Sequence, residues 1–136
     1  MNLCNLSILA ILALLISCKS PNDSFANDNL VRDILVKNKE VKYIIFVPTV
    51  GCTGCISFAE KNLVKHQNNN KIFFVIEEVR SKKELSLKLG RNVNDFKNLL
   101  IFESPINNLD NFISPKVLID ETGKMSEFDA NFIIEV

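Results

Sequence analysis

Two short apolar runs constrain this chain more than any other feature. Val41–Val47 (VKYIIFV), bounded by Pro48, and Ile72–Ile76 (IFFVI) are dense in β-branched and aromatic residues and too short to be helices of their own. Both read as buried strands. Between them Ile56, Ala59 and Leu63 recur on one helical stripe, while Glu60, Lys61 and Lys65 fall elsewhere. That pattern predicts a helix through His66, ended at Asn68–Asn70. A strand, a helix and a strand in that order form a crossover, which joins parallel neighbours. Further on, Ser81 to Glu84 has the form of a capping box, with Leu85 and Leu89 at i, i+4 and Gly90 at the stop. The alternation Leu85, Leu87, Leu89 also suits a strand. Leu99–Phe102 reads as a short strand or as packing under a loop. Lys116–Asp120 and Lys124–Phe128 flank Glu121-Thr122-Gly123 as a hairpin. Upstream, Leu30, Val31, Ile34 and Leu35 predict a helix, with Asp28 or Asn29 as its N-cap. The expectation is one α/β domain over residues 30–136. Its mixed central sheet is flanked by helices, with the first two strands parallel and the last two antiparallel.

The N-terminal segment belongs to a different kind of sequence. Leu3 to Ile16 carries no charge, yet it is shorter than the roughly 20 apolar residues a spanning helix needs. It fits the apolar region of a secretory signal. Leu15-Ile16-Ser17-Cys18 resembles a bacterial lipobox, in which a cysteine is acylated and becomes the new N-terminus. The implied signal peptide is residues 1–17, with Cys18 as the lipidation site. Residues 18–29, rich in Ser, Pro, Asn and Asp, form a flexible tether. The expected location is an exported protein, lipid-anchored to a bacterial membrane and facing the periplasm or the exterior. The plainer alternative is a signal anchor with an incidental cysteine.

Sixteen basic residues balance sixteen acidic ones, without a basic block. Phosphate binding needs clustered Lys and Arg, so nucleic acid is not an expected partner. If Cys4 leaves with the signal and Cys18 carries lipid, two of the four cysteines remain, in Cys52-Thr-Gly-Cys55. A strand running into Cys-x-x-Cys at a helix start has a chemical consequence. At 3.6 residues per turn both sulfurs share one face, close enough for a disulfide. The unsatisfied N–H groups of the first turn and the helix dipole favour a thiolate there. Cys52, the more N-terminal, is the expected exposed nucleophile, and Cys55 the resolving thiol. A closed zinc site needs four ligands, and no second cysteine pair exists. His66 stands eleven residues beyond Cys55, about 16 Å along a helix, too far to share an ion with it. It reads as a surface residue whose positive form is favoured near a helix C-terminus. No metal or other cofactor is expected. Thr49-Val-Gly-Cys52 matches the Thr-x-x-Cys of peroxidatic sites only superficially, because Ile45 occupies the place of their upstream proline.

The arrangement resembles the thioredoxin-like superfamily, and more narrowly its membrane-anchored extracytoplasmic members. Three features carry the resemblance: Tyr43-Ile-Ile-Phe-Val47 leading into Cys52-Thr-Gly-Cys55 and a helix, the segment Ser114-Pro115-Lys-Val-Leu-Ile-Asp-Glu-Thr-Gly-Lys124, and the order of the elements between. The resemblance implies that Pro115 is a cis-proline facing the cysteine pair, and that the backbone of Ser114 meets a partner. Gly51 stands where the family usually has an aromatic residue, and the motif lacks the family's internal proline. Too few residues follow the hairpin for the family's closing helix, so the fold is expected to be reduced at the C-terminus. Glu77 and Glu78 read as solvated strand-end charges. The implied function is thiol–disulfide exchange with protein thiols or disulfides in the cell envelope, the catalytic set being Cys52, Cys55 and Pro115. The alternative is a non-enzymatic envelope lipoprotein that uses the scaffold for binding, its cysteines a structural disulfide.

Overall fold

The computed structural model describes residues 29–106, 112–132 and 134. The expected signal peptide, the lipidation candidate Cys18 and the expected tether before Asn29 lie outside the described residues. The elements are α1 (Asn29–Lys37), β1 (Tyr43–Val47), α2 (Thr53–Lys65), β2 (Ile72–Ile76), α3 (Lys82–Leu89), a 3₁₀ turn (Val93–Asp95), β3 (Leu99–Ile101), β4 (Lys116–Ile119) and β5 (Lys124–Glu127). The five strands form one mixed sheet in the order β3-β2-β1-β4-β5. β1 pairs in parallel with β2 from Tyr43 opposite Ile72 to Val47 opposite Ile76. On its other side β1 pairs antiparallel with β4, Phe46 lying opposite Lys116. β3 is parallel to β2, and β5 is antiparallel to β4. The expected α/β architecture, the crossover and the hairpin are all present.

The two apolar runs are continuous because the sheet is covered on both faces. Ile45, Val47, Ile72, Phe74 and Ile76 pack against Ile56, Ala59 and Leu63 of α2 and Leu85 and Leu89 of α3. The alternate residues Ile44, Phe46, Phe73 and Val75 meet Val31 and Ile34 of α1. With no solvent face available, every position in the two strands must be apolar. Near the C-terminus an aromatic group covers the sheet beside α2. Phe58 and Phe128 stand 5.4 Å apart, Phe128 and Phe132 5.7 Å, and Tyr43 and Phe132 6.0 Å, the last edge-on.

The ambiguous segments resolve on physical grounds. Residues 82–89 are helical: the Ser81 hydroxyl accepts the Glu84 N–H, and Gly90 takes the left-handed conformation at the C-cap. Helical spacing buries Leu85 and Leu89 and turns Leu87 outward, where it is 73% exposed. Leu99–Ile101 is a strand, joining the sheet through β2. Val41 and Lys42 fall just short of β1; Val41 instead closes the turn after α1, its N–H donating to the Asn38 carbonyl.

Asn98 is a buried polar residue with a structural task. It is 6% exposed, and its Nδ2 lies 3.0 Å from the carbonyls of His66 and Ile72 and 3.4 Å from that of Asn69. One amide thus pins the end of α2 to the start of β2. Truncating it removes a donor that these carbonyls share, although those of His66 and Asn69 keep the backbone N–H groups of Asn69 and Ile72. Asn98→Ala should lower the unfolding free energy by about 1–2 kcal/mol in urea melts, with the slope unchanged. A loss under about 0.5 kcal/mol, typical of a neutral surface change, would show that the clamp carries no weight.

Candidate active site

The site is assembled at the end of β1. The chain leaves Val47, passes buried Pro48 and exposed Thr49 and Val50, and reaches Gly51 with φ +137°. Cys52 is the N-cap of α2, in extended conformation. Its Sγ accepts the N–H of Cys55 at 3.3 Å, and its carbonyl accepts the N–H of Ile56 at 2.9 Å. A sulfur therefore takes the place usually held by a Ser, Thr, Asp or Asn oxygen. α2 has no acidic residue in its first turn. No carboxylate there competes for the free N–H groups or opposes a thiolate.

Cys52 and Cys55 are joined as a disulfide, their Cα atoms 5.3 Å apart. Cys52 is exposed and Cys55 half-buried.

The loop before β4 comes against this pair. The Cys52 N–H donates to the carbonyl of Ile113 at 2.7 Å. A Cβ placed on Gly51 would stand 2.2 Å from that same oxygen. The aromatic residue that the resemblance expects at position 51 is thus excluded by space as well as by φ. Ile113 and Val50 are each 73% exposed and set two apolar side chains on neighbouring segments at the disulfide. Thr49 and Val50 also border an open groove of about 400 Å³, shared with Glu78, Arg80, Glu84 and Lys88.

One expectation fails here. The Ser114–Pro115 bond is trans, since no described peptide bond is cis. Trans is the favoured isomer of an X-Pro bond by about 0.5–1 kcal/mol, and the loop closes on the cysteines without the other form. Its backbone contact with them is made by Ile113, two residues before Pro115. Pro115 itself offers its carbonyl to the N–H of Phe128 at 2.9 Å. Ser114 is held by its side chain, which donates to the Glu127 carboxylate, and Lys116 pairs with the same carboxylate. No hydrogen bond engages the Ser114 backbone N–H or carbonyl among the described residues. The Lys116 hydrogen bond, then that of Ser114, hold the Glu127 carboxyl below the usual glutamate range.

Two other readings are corrected. Glu77 is 7% exposed, not solvated, and its carboxylate accepts the Ile106 N–H at 2.9 Å, strapping the segment after β3 to the end of β2. Glu78 is exposed as expected, at a positive φ of 55°. His66 is half-buried, and its pKa is pushed down, first by burial and then by Lys65. Among the described residues no group of three His, Cys, Asp or Glu side chains is placed to hold a metal ion. No helix among them is long and apolar enough to cross a membrane.

Sequence reasoning missed Ile113 and Glu127. Glu127 was within reach of it: counting outward from the 120–123 turn sets Lys116 opposite Glu127. Nothing in the sequence marked the Ile113 carbonyl. The chain matches no family model, no curated protein and no solved structure.

The two glycines at the site should respond oppositely. Gly51→Ala forces a clash with the Ile113 carbonyl at an unfavourable φ and should destabilise by about 1–3 kcal/mol. Gly54 lies in the first turn of α2 with open space around it, so Gly54→Ala should stabilise by about 0.5–1 kcal/mol. Paired thermal melts check both, and a neutral Gly51→Ala would remove the close approach from the account. The carboxylate of Glu127 carries its own pH signature. Because its folded pKa is lowered, its contribution is present above the unfolded value and is lost as pH falls through the folded one. Glu127→Gln should therefore melt slightly below the native chain at pH 7, and the difference should close under acidic conditions.

Proposed function

We propose that this chain is a thioredoxin-like thiol–disulfide exchange protein, held at a bacterial membrane by lipid on Cys18 and acting on protein cysteines in the cell envelope. The observation that carries the reading is the Cys52–Cys55 disulfide at the N-cap of α2, with Cys52 exposed and its Sγ on the Cys55 N–H. The sheet order and the run of strand, Cys-x-x-Cys, helix, strand, helix and hairpin support the thioredoxin-like part. The trans bond at Pro115 departs from the family's loop, so the reading rests on the cysteines and on the Ile113 contact. Pro115 contributes a fixed φ, and Ser114 a backbone N–H and carbonyl without a partner among the described residues.

The exchange balances without a further reagent. A partner thiolate attacks Cys52 Sγ, a partner–Cys52 disulfide forms, and Cys55 leaves as a thiolate that takes up a proton. The partner's second thiolate attacks its own sulfur in that mixed disulfide and expels Cys52. The partner loses two electrons and the pair gains them. In reverse, reduced Cys52 attacks a partner disulfide and Cys55 resolves. The helix N-terminus serves both directions by stabilising the Cys52 thiolate.

In the reduced chain the Cys52 thiol should titrate between about 3.5 and 7.5, read by thiolate absorbance, against about 8.5 for a free cysteine. Cys55→Ser should trap partners as mixed disulfides through Cys52, while Cys52→Ser traps none. Equal trapping by both variants would overturn the roles. No trapping, together with no reduction of insulin, would leave the disulfide as a structural staple in a binding scaffold. Intact mass should show a diacylated or triacylated Cys18 as the first residue, and an unmodified cysteine would end the lipid-anchor reading.

A further inference from the structure

We infer that the cysteine pole of the domain faces the membrane, so that its partners are protein cysteines displayed within a few nanometres of the bilayer. This rests on the lipid-anchor reading above and adds an orientation to it.

The polarity of α1 carries the argument. Its last residues, Val36 and Lys37, line a groove with Gln67, Asn69, Phe73 and Asn98, at the end of α2 and the start of β2. That is the pole away from the cysteines, because α2 begins at Cys52 and its 13 residues rise about 20 Å. The turn from α1 into β1 is tight: the Asn38 N–H closes on the Ile34 carbonyl and the Val41 N–H on that of Asn38. A helix reversed so closely into β1 and packed on its face runs back along it. Val31 and Ile34 share one buried cluster with Val41, Ile44, Phe46 and Phe73 on this face of the sheet. The nine residues of α1 rise about 13 Å toward the cysteines, so Asn29 receives the preceding chain from that side.

Chain length then limits the reach. Cys18 and Asn29 are eleven positions apart, which at full extension span at most about 40 Å. Attachment at the opposite pole would set the disulfide about 20 Å farther from the anchor, the length of α2. Lipid itself is not the indicated ligand. Arg80, Lys82, Lys83 and Lys88 at this pole are balanced by Glu78, Glu84, Glu103 and Glu60, the last paired with Lys88, leaving no net charge to draw an anionic surface. What remains at the disulfide is the pair of apolar side chains Val50 and Ile113, with the backbone of Ser114 unbonded among the described residues, which suit a protein segment.

The test uses the full lipidated chain in phosphatidylcholine vesicles containing acceptor-labelled lipid. A donor dye is placed on Cys52 in a Cys55→Ser variant. In a Cys52→Ser, Cys55→Ser background it is placed instead at Lys39→Cys, and in a second version at Lys97→Cys; both residues border the far-pole groove and are exposed. The expected result is at least twofold greater energy transfer to lipid from position 52 than from either far-pole site. Equal or reversed transfer would overturn the inference. Exchange of the unlabelled chain with a soluble peptide disulfide is measured alongside. Normal exchange with equal transfer removes the orientation and leaves the proposed chemistry, whereas absent exchange removes the chemistry. Failure of the chain to float with vesicles removes the anchor, and the orientation with it.

Discussion

Strand β1 is bonded to a parallel neighbour on one side and an antiparallel one on the other, and the position of the site follows from that. A parallel partner requires a crossover that starts where β1 ends, so the first turn of α2 lies at the C-terminal end of β1. An antiparallel partner must begin at the same end, because Phe46 lies opposite Lys116. Two segments about sixty positions apart are brought together by strand direction alone. The cysteines occupy one and the Ile113–Pro115 loop the other. Neither needs a side-chain contact to find its neighbour; the backbone bond from Cys52 to Ile113 then fixes their separation.

The closeness of that approach has a chemical cost and a chemical use. Gly51 must lack a side chain because the Ile113 carbonyl occupies the space a Cβ would take. Any aromatic shield over Cys52 from the preceding residue is thereby excluded, and the exposed sulfur is bordered by Val50 and Ile113 instead. The Cys52 N–H is meanwhile engaged by the loop, so the first free N–H that turns toward Cys52 Sγ is that of Cys55. The N-cap sulfur is thus set by the helix end it caps, and the same geometry holds Cys55 one turn inward.

The architecture was legible in the sequence because its signals are periodic and local. VKYIIFV, IFFVI, the Ser81–Glu84 cap and the Glu121–Gly123 turn each carry a physical signature that survives without tertiary information. The resolution of residues 82–89 shows where local signals end: Leu85, Leu87 and Leu89 alternate like a strand, and only the caps and the outward position of Leu87 decide for a helix. What the sequence hid was long-range. Burial of Glu77 depends on an N–H supplied by Ile106, and the lowered pKa of His66 depends on desolvation, not on its helix position. The cis-proline expectation came from a resemblance at Ser114-Pro115, and a dipeptide does not determine its own isomer when the surrounding loop is built differently.

The loop before β4 offers few charged handles, those at the site lying in the groove that Thr49 and Val50 share with Glu78, Arg80, Glu84 and Lys88. The Ser114 hydroxyl and Lys116 both address Glu127, so the polar side chains nearest the loop are spent on holding the loop itself. Locking Ser114 by its side chain leaves its backbone N–H and carbonyl without a partner among the described residues. A main-chain amide pair, where it pairs with an extended chain, does so whatever that chain's sequence, since main-chain hydrogen bonds carry no side-chain information. Val50 and Ile113 add apolar contact, which is likewise indifferent to charge. Main-chain and apolar contacts of this kind discriminate weakly by composition. On the proposed exchange chemistry and lipid anchor, the choice of partner then falls to what can reach the site, and reach is set by how the domain is held.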